Sequence, residues 1–354
     1  MAEIDQLLIT LKEQGGSDLH LAAGLEPRIR VHGELAPLEG WGKLEHEQLC
    51  GLLQPIASEK NWAEFDETHD LDFAYGLVGV ARFRANYFMQ ECGAAAVFRI
   101  IPEKIHSVDD LNLPEAIANL AHLRSGLVVV TGPTGSGKST TLAAIVNKIN
   151  TEYSRHIVTI EDPVEFVHKN EMSVLSHREV GVHSNGFAPA LRAAARQDAD
   201  VVLVGEMRDR ETIAMAITAA EMGMLVFGTL HTNSAAKTID RIIDAFPASE
   251  QPQVRISLSE SVSAIVAQLL LPTADGKGRV AVNEILLRTQ GLPNVIREGN
   301  TPMIGSIIQS GKSDGMQSMD DALYALVDEG KISGRDAFLK ASDKARFESL
   351  APGD

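Results

Sequence analysis

The chain has 354 residues, 44% of them hydrophobic and 23% charged, a composition that excludes a disordered or low-complexity protein. Asp and Glu number 48 against 32 Lys and Arg, and the net charge of −16 argues against a general nucleic-acid binder, which needs a surface that neutralises phosphates. The two isolated cysteines, Cys50 and Cys92, exclude a disulfide framework or zinc ribbon and fit a reducing compartment.

The first segment, Ile4 to Lys12, has apolar residues at helical spacing (Ile4, Leu7, Leu8, Leu11) and acids where a signal peptide would be basic. Gly15-Gly16 ends it. Arg28–His32 alternates as a strand, with a hairpin turn at Gly33. A helix is expected over Ser58–Glu67. Leu71–Tyr75 alternates next, with turn residues at Gly76 and Gly79. In Arg82–Tyr87, the residues Arg82, Arg84 and Asn86 fall on one face and Phe83 and Tyr87 on the other. Ala94–Ile101 completes an antiparallel set, so residues 1–101 read as a small α+β domain.

A connector over 102–119 carries Pro102 and Pro114. From residue 120 to 354 the pattern changes to apolar runs alternating with long helices, as in a parallel α/β sheet. The strands expected are Leu127–Thr131, His156–Ile160, Val201–Val204 and Leu225–Thr229. After Leu230 the chain reads as mainly helical, apart from one strand at Arg279–Leu286. No apolar run reaches the ~18 residues of a membrane span, so the expected location is the cytoplasm, with any membrane docking through a partner.

Four motifs carry chemistry. Gly132-Pro133-Thr134-Gly135-Ser136-Gly137-Lys138-Ser139 fits the phosphate-binding loop between a strand and a helix that begins near Thr140. Its glycines let backbone N–H groups curl around phosphate oxygens, and the helix N-terminus adds its positive end. Lys138 supplies a charge for the β- and γ-phosphates of ATP, and Ser139 a hydroxyl for Mg²⁺. Next, Glu161-Asp162-Pro163-Val164-Glu165 follows a strand, where catalytic groups gather in open α/β sheets. One carboxylate there would polarise the attacking water and another hold the metal or its waters. Third, Asp200–Glu206 is a Walker-B-like run in which Glu206 would position Mg²⁺ through water or share in activating the nucleophile. Fourth, Gly228-Thr-Leu-His231-Thr232 puts His231 at another strand end, where His231 or Thr232 would sense the γ-phosphate. Arg82, Arg84 and Arg99 are either solvated or arginine fingers.

Together these residues resemble the secretion-type hexameric ATPases, and within them the retraction ATPases of bacterial type IV pili. Ser17-Asp-Leu-His-Leu21, Arg82-Phe-Arg84, Phe98-Arg99, Ile160–Phe166, Val204–Asp209 and Gly228–Thr232 are similar to that family's boxes in order, and Pro293–Glu298 is similar to its retraction motif. The resemblance implies a PAS-like N-terminal domain, a flexible linker and a RecA-like ATPase domain with a helical C-terminal part. It implies a homohexamer that binds Mg-ATP between subunits. Glu165 would be the general base, Glu206 the Walker B carboxylate and His231 the sensor, with Arg84 and Arg99 reaching the nucleotide. Glu161 would assist in catalysis, and Ser139, Glu206 and Asp162 would hold Mg²⁺, partly through water. The implied partners are an inner-membrane platform protein and a paralogous retraction ATPase.

The chain departs from the family at Met224, where histidine is common, at Ala199, where proline is usual, and at Gly291-Leu-Pro-Asn, which lacks the retraction motif's first arginine. An accessory paralogue is therefore the second reading. An export ATPase is disfavoured by the chain's length and the missing C-x-x-C element. A nucleic-acid motor is disfavoured by charge. A non-hydrolysing scaffold conflicts with Lys138, Glu165 and Glu206, and a small-molecule kinase leaves the N-terminal domain unexplained.

Overall fold

A computed structural model describes residues 2–31 and 33–350; His32, the expected strand end, lies outside the described residues. Contacts divide the chain into two units. The first comprises Met1–Lys104 with Asp162–Val167, and the second Ile105–Glu161 with His168–Asp354.

The first unit is built from α1 (Ile4–Glu13), β1 (Asp18–Ala22), β2 (Arg28–Val31), β3 (Glu34–Pro37), α2 (His46–Leu53), α3 (Glu59–Thr68), β4 (Asp70–Leu77), β5 (Ala81–Gln90) and β6 (Gly93–Ile101). Its six strands form an antiparallel sheet in the order β3-β2-β1-β6-β5-β4. The alternation in β5 is observed: Ala81, Phe83, Ala85 and Tyr87 are buried while Arg84 is exposed. Those side chains meet Leu7, Leu8 and Leu11 of α1, Leu49 and Leu53 of α2 and Phe65 of α3 in one core. Tyr87 sits edge-on to Phe65, Phe73 and Phe98 and donates its hydroxyl to Leu53 O at 3.2 Å, so a fully buried ring leaves no stranded donor. Gly76 lies inside β4, not at a turn as expected; the chain reverses at residues 78–80.

The second unit runs through α4 (Glu115–Ala118), β7 (Gly126–Thr131), α5 (Lys138–Glu152), β8 (His156–Glu161), β9 (Val174–Glu179), α6 (Phe187–Ala194), β10 (Val201–Val204), α7 (Arg210–Glu221), β11 (Leu225–Leu230), α8 (Ala235–Asp244), α9 (Gln251–Ser261), β12 (Val262–Pro272), β13 (Arg279–Leu287), α10 (Leu292–Arg297), α11 (Ile304–Ser310), α12 (Met319–Asp328), α13 (Gly334–Lys340) and α14 (Lys344–Phe347). Its seven strands order as β13-β12-β7-β11-β10-β8-β9, all parallel except β13.

Strands β7, β10 and β11 are buried throughout because the sheet is covered on both faces. Leu127 and Val129 of β7 pack with α7 and α8 on one side, and Val128 and Val130 with α5 on the other. Each fully buried residue of this size contributes about 1.5–3 kcal/mol of hydrophobic stabilisation, which fixes the central strands and hence the loops leaving them. The mainly helical expectation after Leu230 omits β12, while β13 covers the strand expected at Arg279–Leu286. The eleven-residue β12 lies parallel beside β7, and β13 pairs antiparallel with β12. Beyond them α12, α13 and α14 pack Leu323, Ala337 and Phe347 against Ala267, Leu271 and Val282.

Candidate active site

Strands β7, β11, β10 and β8 are adjacent and parallel, so their C-terminal ends open on one edge of the sheet. The phosphate-loop motif leaves β7 there. Gly132 has φ +148, and a Cβ on it would lie 2.2 Å from Gln268 O, so no side chain fits. Gly135 and Gly137 are left-handed (φ +78 and +83), and Gly137 hands the chain to the 15-residue α5. That combination turns successive backbone N–H groups to one concavity at a helix N-terminus, the geometry that binds phosphate. Lys138 is buried, and its Nζ donates to Gly132 O (2.9 Å) and Pro133 O (3.1 Å). Ser136 is buried within the loop, Ser139 and Thr140 are half-buried, and Pro133, Thr134 and Gly135 are exposed. Beside the loop opens a cavity of about 720 Å³, lined by Gly137, Thr140, Thr141, Leu270, Arg279 and Lys331 among others.

The third and fourth motifs meet. Glu206, just beyond β10, accepts hydrogen bonds on Oε1 from His231 Nε2 at 2.8 Å and Arg208 Nε at 2.6 Å. Burial raises the Glu206 carboxyl, but the bonds and charges of Arg208 and His231 outweigh it and hold the group below its ordinary value. Thr229 Oγ1 donates to Gly205 O (2.5 Å) and Met207 N–H to Thr229 O (3.0 Å), locking the ends of β10 and β11 together. Thr232 is joined to the residue before the phosphate loop: Thr131 Oγ1 donates to Thr232 O at 2.7 Å, and Thr232 Oγ1 bonds Thr238 Oγ1 at 2.7 Å. Glu161 ends β8 as a buried carboxylate against Gly205.

Asp162 and Glu165 are exposed and belong to the first unit, not to the one that carries the phosphate loop. Their segment is held by Arg82, whose Nη1 donates to Val164 O at 2.8 Å. Arg84 and Arg99 also lie in the first unit, directly opposite each other on β5 and β6. Arg99 Nε pairs with the buried Asp18 at 2.7 Å while its side chain stays 69% exposed, and Arg84 pairs with Asp72 at 3.6 Å. Across four strands the register runs Arg30–Asp18–Arg99–Arg84, which gives the Ser17–Leu21 motif a place: it supplies the one acid in a row of cations.

Three participants escaped the sequence reading. Arg208, inside the Val204–Asp209 run, pairs with Glu206. Gln268 interrupts an apolar run, and an amide inside a buried strand signals a partner it must satisfy. Glu284 on β13 is largely buried and accepts the Ala235 N–H at 2.7 Å at the start of α8, just after the His231 loop.

No group of three or more His, Cys, Asp or Glu among the described residues could hold a metal by itself. Ser139 carries a hydroxyl and Glu206 a carboxylate, oxygen types that could coordinate Mg²⁺ together with phosphates and water.

A phosphate loop at the carboxyl edge of a six-stranded parallel core, with a carboxylate and histidine beyond neighbouring strands, defines a RecA-like P-loop ATPase. The family model described as "Type II/IV secretion system protein" matches residues 78–301, and the chain belongs to that family. It is 48% identical over 345 residues to the type IV pilus retraction ATPase PilT of Pseudomonas aeruginosa, covering 98% of this chain and 100% of that one. It is 40% identical to the type IV pilus ATPase PilU of the same organism, over 96% and 88% of the two chains. The crystal structure of the pilus retraction motor PilT with bound ADP superposes with a TM-score of 0.90 at 42% identity, over 99% and 100% of the chains.

Proposed function

We infer that this protein is the ATP-hydrolysing motor of type IV pilus retraction, working as a homohexamer on Mg-ATP. The observation that carries the reading is the phosphate loop tied through Thr131 and Thr232 to a Glu206–His231 pair, in a chain similar end to end to a retraction ATPase. Identity to PilT (48%) exceeds identity to PilU (40%), which favours the main motor over the accessory paralogue.

In this reading the loop N–H groups and the N-terminus of α5 bind the phosphates of ATP, Lys138 neutralises them, and the adjoining cavity takes the nucleoside. Ser139 and Glu206, with Asp162 through water, would hold Mg²⁺, which when bound would supply positive charge to the transferred phosphoryl group. Glu165 takes the proton of the attacking water and Glu161 supports its orientation. Glu206, kept ionised by Arg208 and His231, changes its bond to His231 when the γ-phosphate leaves, and the chain of threonine hydroxyls carries that change to the phosphate loop. Arg84 and Arg99 of one copy supply charge to the nucleotide of another. Hydrolysis around the ring then moves an inner-membrane platform protein and depolymerises the pilus. The protein would sit in the cytoplasm at that platform; no described helix is long and apolar enough to cross a membrane.

Complementation tests this. Expressed in Pseudomonas aeruginosa lacking its own PilT, the chain should restore twitching motility, and its Lys138→Ala form should not. Rescue of a strain lacking PilU, without rescue of one lacking PilT, would assign the accessory role instead.

A further inference from the structure

The geometry points to Gln268 as a positioning residue that sets the shape of the phosphate loop and ties it to the C-terminal helices. The inference rests on the loop binding nucleotide phosphates.

Ala267 of β12 is in register with Thr131, the last residue of β7, so Gln268 is the first β12 residue beyond the point where the loop leaves the sheet. Its side chain is 1% exposed, and both of its polar atoms have partners. Nε2 donates to the Ser136 carbonyl inside the loop at 2.6 Å. Oε1 accepts from Thr141 Oγ1, in the first turn of α5, at 2.8 Å. One amide thus bridges the loop's backbone to the helix whose N-terminus completes the phosphate site. Its backbone acts as well: Gln268 O is the atom that leaves no room for a Cβ on Gly132.

The bridge continues outward. Asn283, paired with Gln268 across β12 and β13, donates Nδ2 to Gln268 Oε1 at 3.4 Å. Gln317 Nε2 donates to Asn283 O at 2.8 Å. Gln317 is also bridged to Ile285 through its backbone and directly precedes Ser318, the N-cap of α12. A shift of the Ser136 carbonyl on phosphate binding therefore reaches α12 through three buried or half-buried amides. An unpaired buried amide or carbonyl is costly, so these groups move together or lose their partners.

The test uses the full-length protein carrying Gln268→Leu, which keeps side-chain bulk and removes both polar atoms, and Thr141→Val. The readouts are kcat and KM for ATP, the Kd of a fluorescent ADP analogue, and the thermal midpoint. Gln268→Leu should raise KM and Kd tenfold or more while kcat at saturation falls less than threefold. Thr141→Val should raise them about threefold, and the double variant should match Gln268→Leu alone. A lowered thermal midpoint with KM and Kd unchanged would reduce Gln268 to core packing and overturn the inference. Should Gln268→Leu fail to fold, Thr141→Val decides: an unchanged Kd overturns the proposal. Hydrogen exchange at residues 319–322 checks the outward link. ADP should slow it in the wild type and not in Gln268→Leu, and exchange indifferent to ADP in the wild type refutes the link. Lys138→Ala separates the two levels, because wild-type ADP binding in that variant removes the loop reading itself.

Discussion

Replacing Glu284 with alanine probes how firmly the His231 loop is held. The Glu284 carboxylate accepts the Ala235 N–H at 2.7 Å and also the backbone N–H of Met319, so it closes the first turns of both α8 and α12. Burial pushes its pKa up, the two N–H bonds oppose that, and nearby Asp320 adds to the rise. A hydrogen bond to a charged acceptor contributes roughly 1.5–3 kcal/mol, and losing two leaves two first-turn donors without their acceptor. Relief of the buried charge offsets part of this, so the net loss should be about 2–4 kcal/mol. The loop that carries His231 ends at Ser234, the N-cap of α8, so its anchorage weakens with the helix start. Urea denaturation of the full chain, followed alongside ATPase kinetics, is the assay. Glu284→Ala should lower the denaturation midpoint and cut kcat about tenfold with a smaller change in KM, since Glu284 touches no part of the phosphate loop; the tenfold figure corresponds to about 1.4 kcal/mol in the barrier. Glu284→Gln keeps one acceptor oxygen and should fall between wild type and alanine. Wild-type kcat and midpoint in Glu284→Ala would refute the reasoning, and a glutamine variant as damaged as alanine would show that charge, not the bonds, matters.

Four further outcomes follow from the geometry. Gly132→Ala places a Cβ 2.2 Å from Gln268 O and should weaken ADP binding more than 100-fold with the circular dichroism of the fold unchanged; near-normal affinity would mean the loop has room that the structure denies it. Glu165→Gln should bind ATP and stall turnover, whereas wild-type turnover would move the base to Glu206 or Glu161. Asp18→Asn removes the acid from the Arg30–Asp18–Arg99–Arg84 row and should cost about 1–2 kcal/mol, discounted because Arg99 is exposed; an unchanged urea midpoint would contradict it. His168 is 5% exposed, and burial followed by the stacked His177 lowers its pKa from 6.5 to about 4. A depressed histidine favours the folded state above its unfolded value, so stability should fall from pH 6.5 toward 4, by roughly 3 kcal/mol at most, and His168→Gln should flatten that decline.

The parts of the site that follow strand ends were legible from local pattern. Val128–Val130 and Val201–Val204 are apolar without alternation because both faces of their strands are covered, and the motifs beyond them inherit their positions from the sheet. What local pattern did not carry was register and non-local contact. Strand β12 starts at Val262 directly after α9 ends at Ser261, with no glycine or proline between them, so nothing local marks the change. Strand β9 sits at the sheet edge and reads as polar, with Ser176, His177, Arg178 and Glu179 in sequence. The pairing of Asp18 with Arg99 joins residues 81 apart and exists only once β1 and β6 are side by side. Likewise, Glu165 follows a strand of the second unit in sequence yet packs with the first, because Arg82 holds its segment there.

We propose that a nucleotide site shared between copies drives an ATPase ring. This is tested most directly by measuring ATPase rate against protein concentration, with mass determination on the same samples with and without Mg-ATP. Specific activity should rise in step with the hexamer fraction. A rate per chain that stays flat while the species remains monomeric would contradict the account and return the protein to a self-contained nucleotide hydrolase.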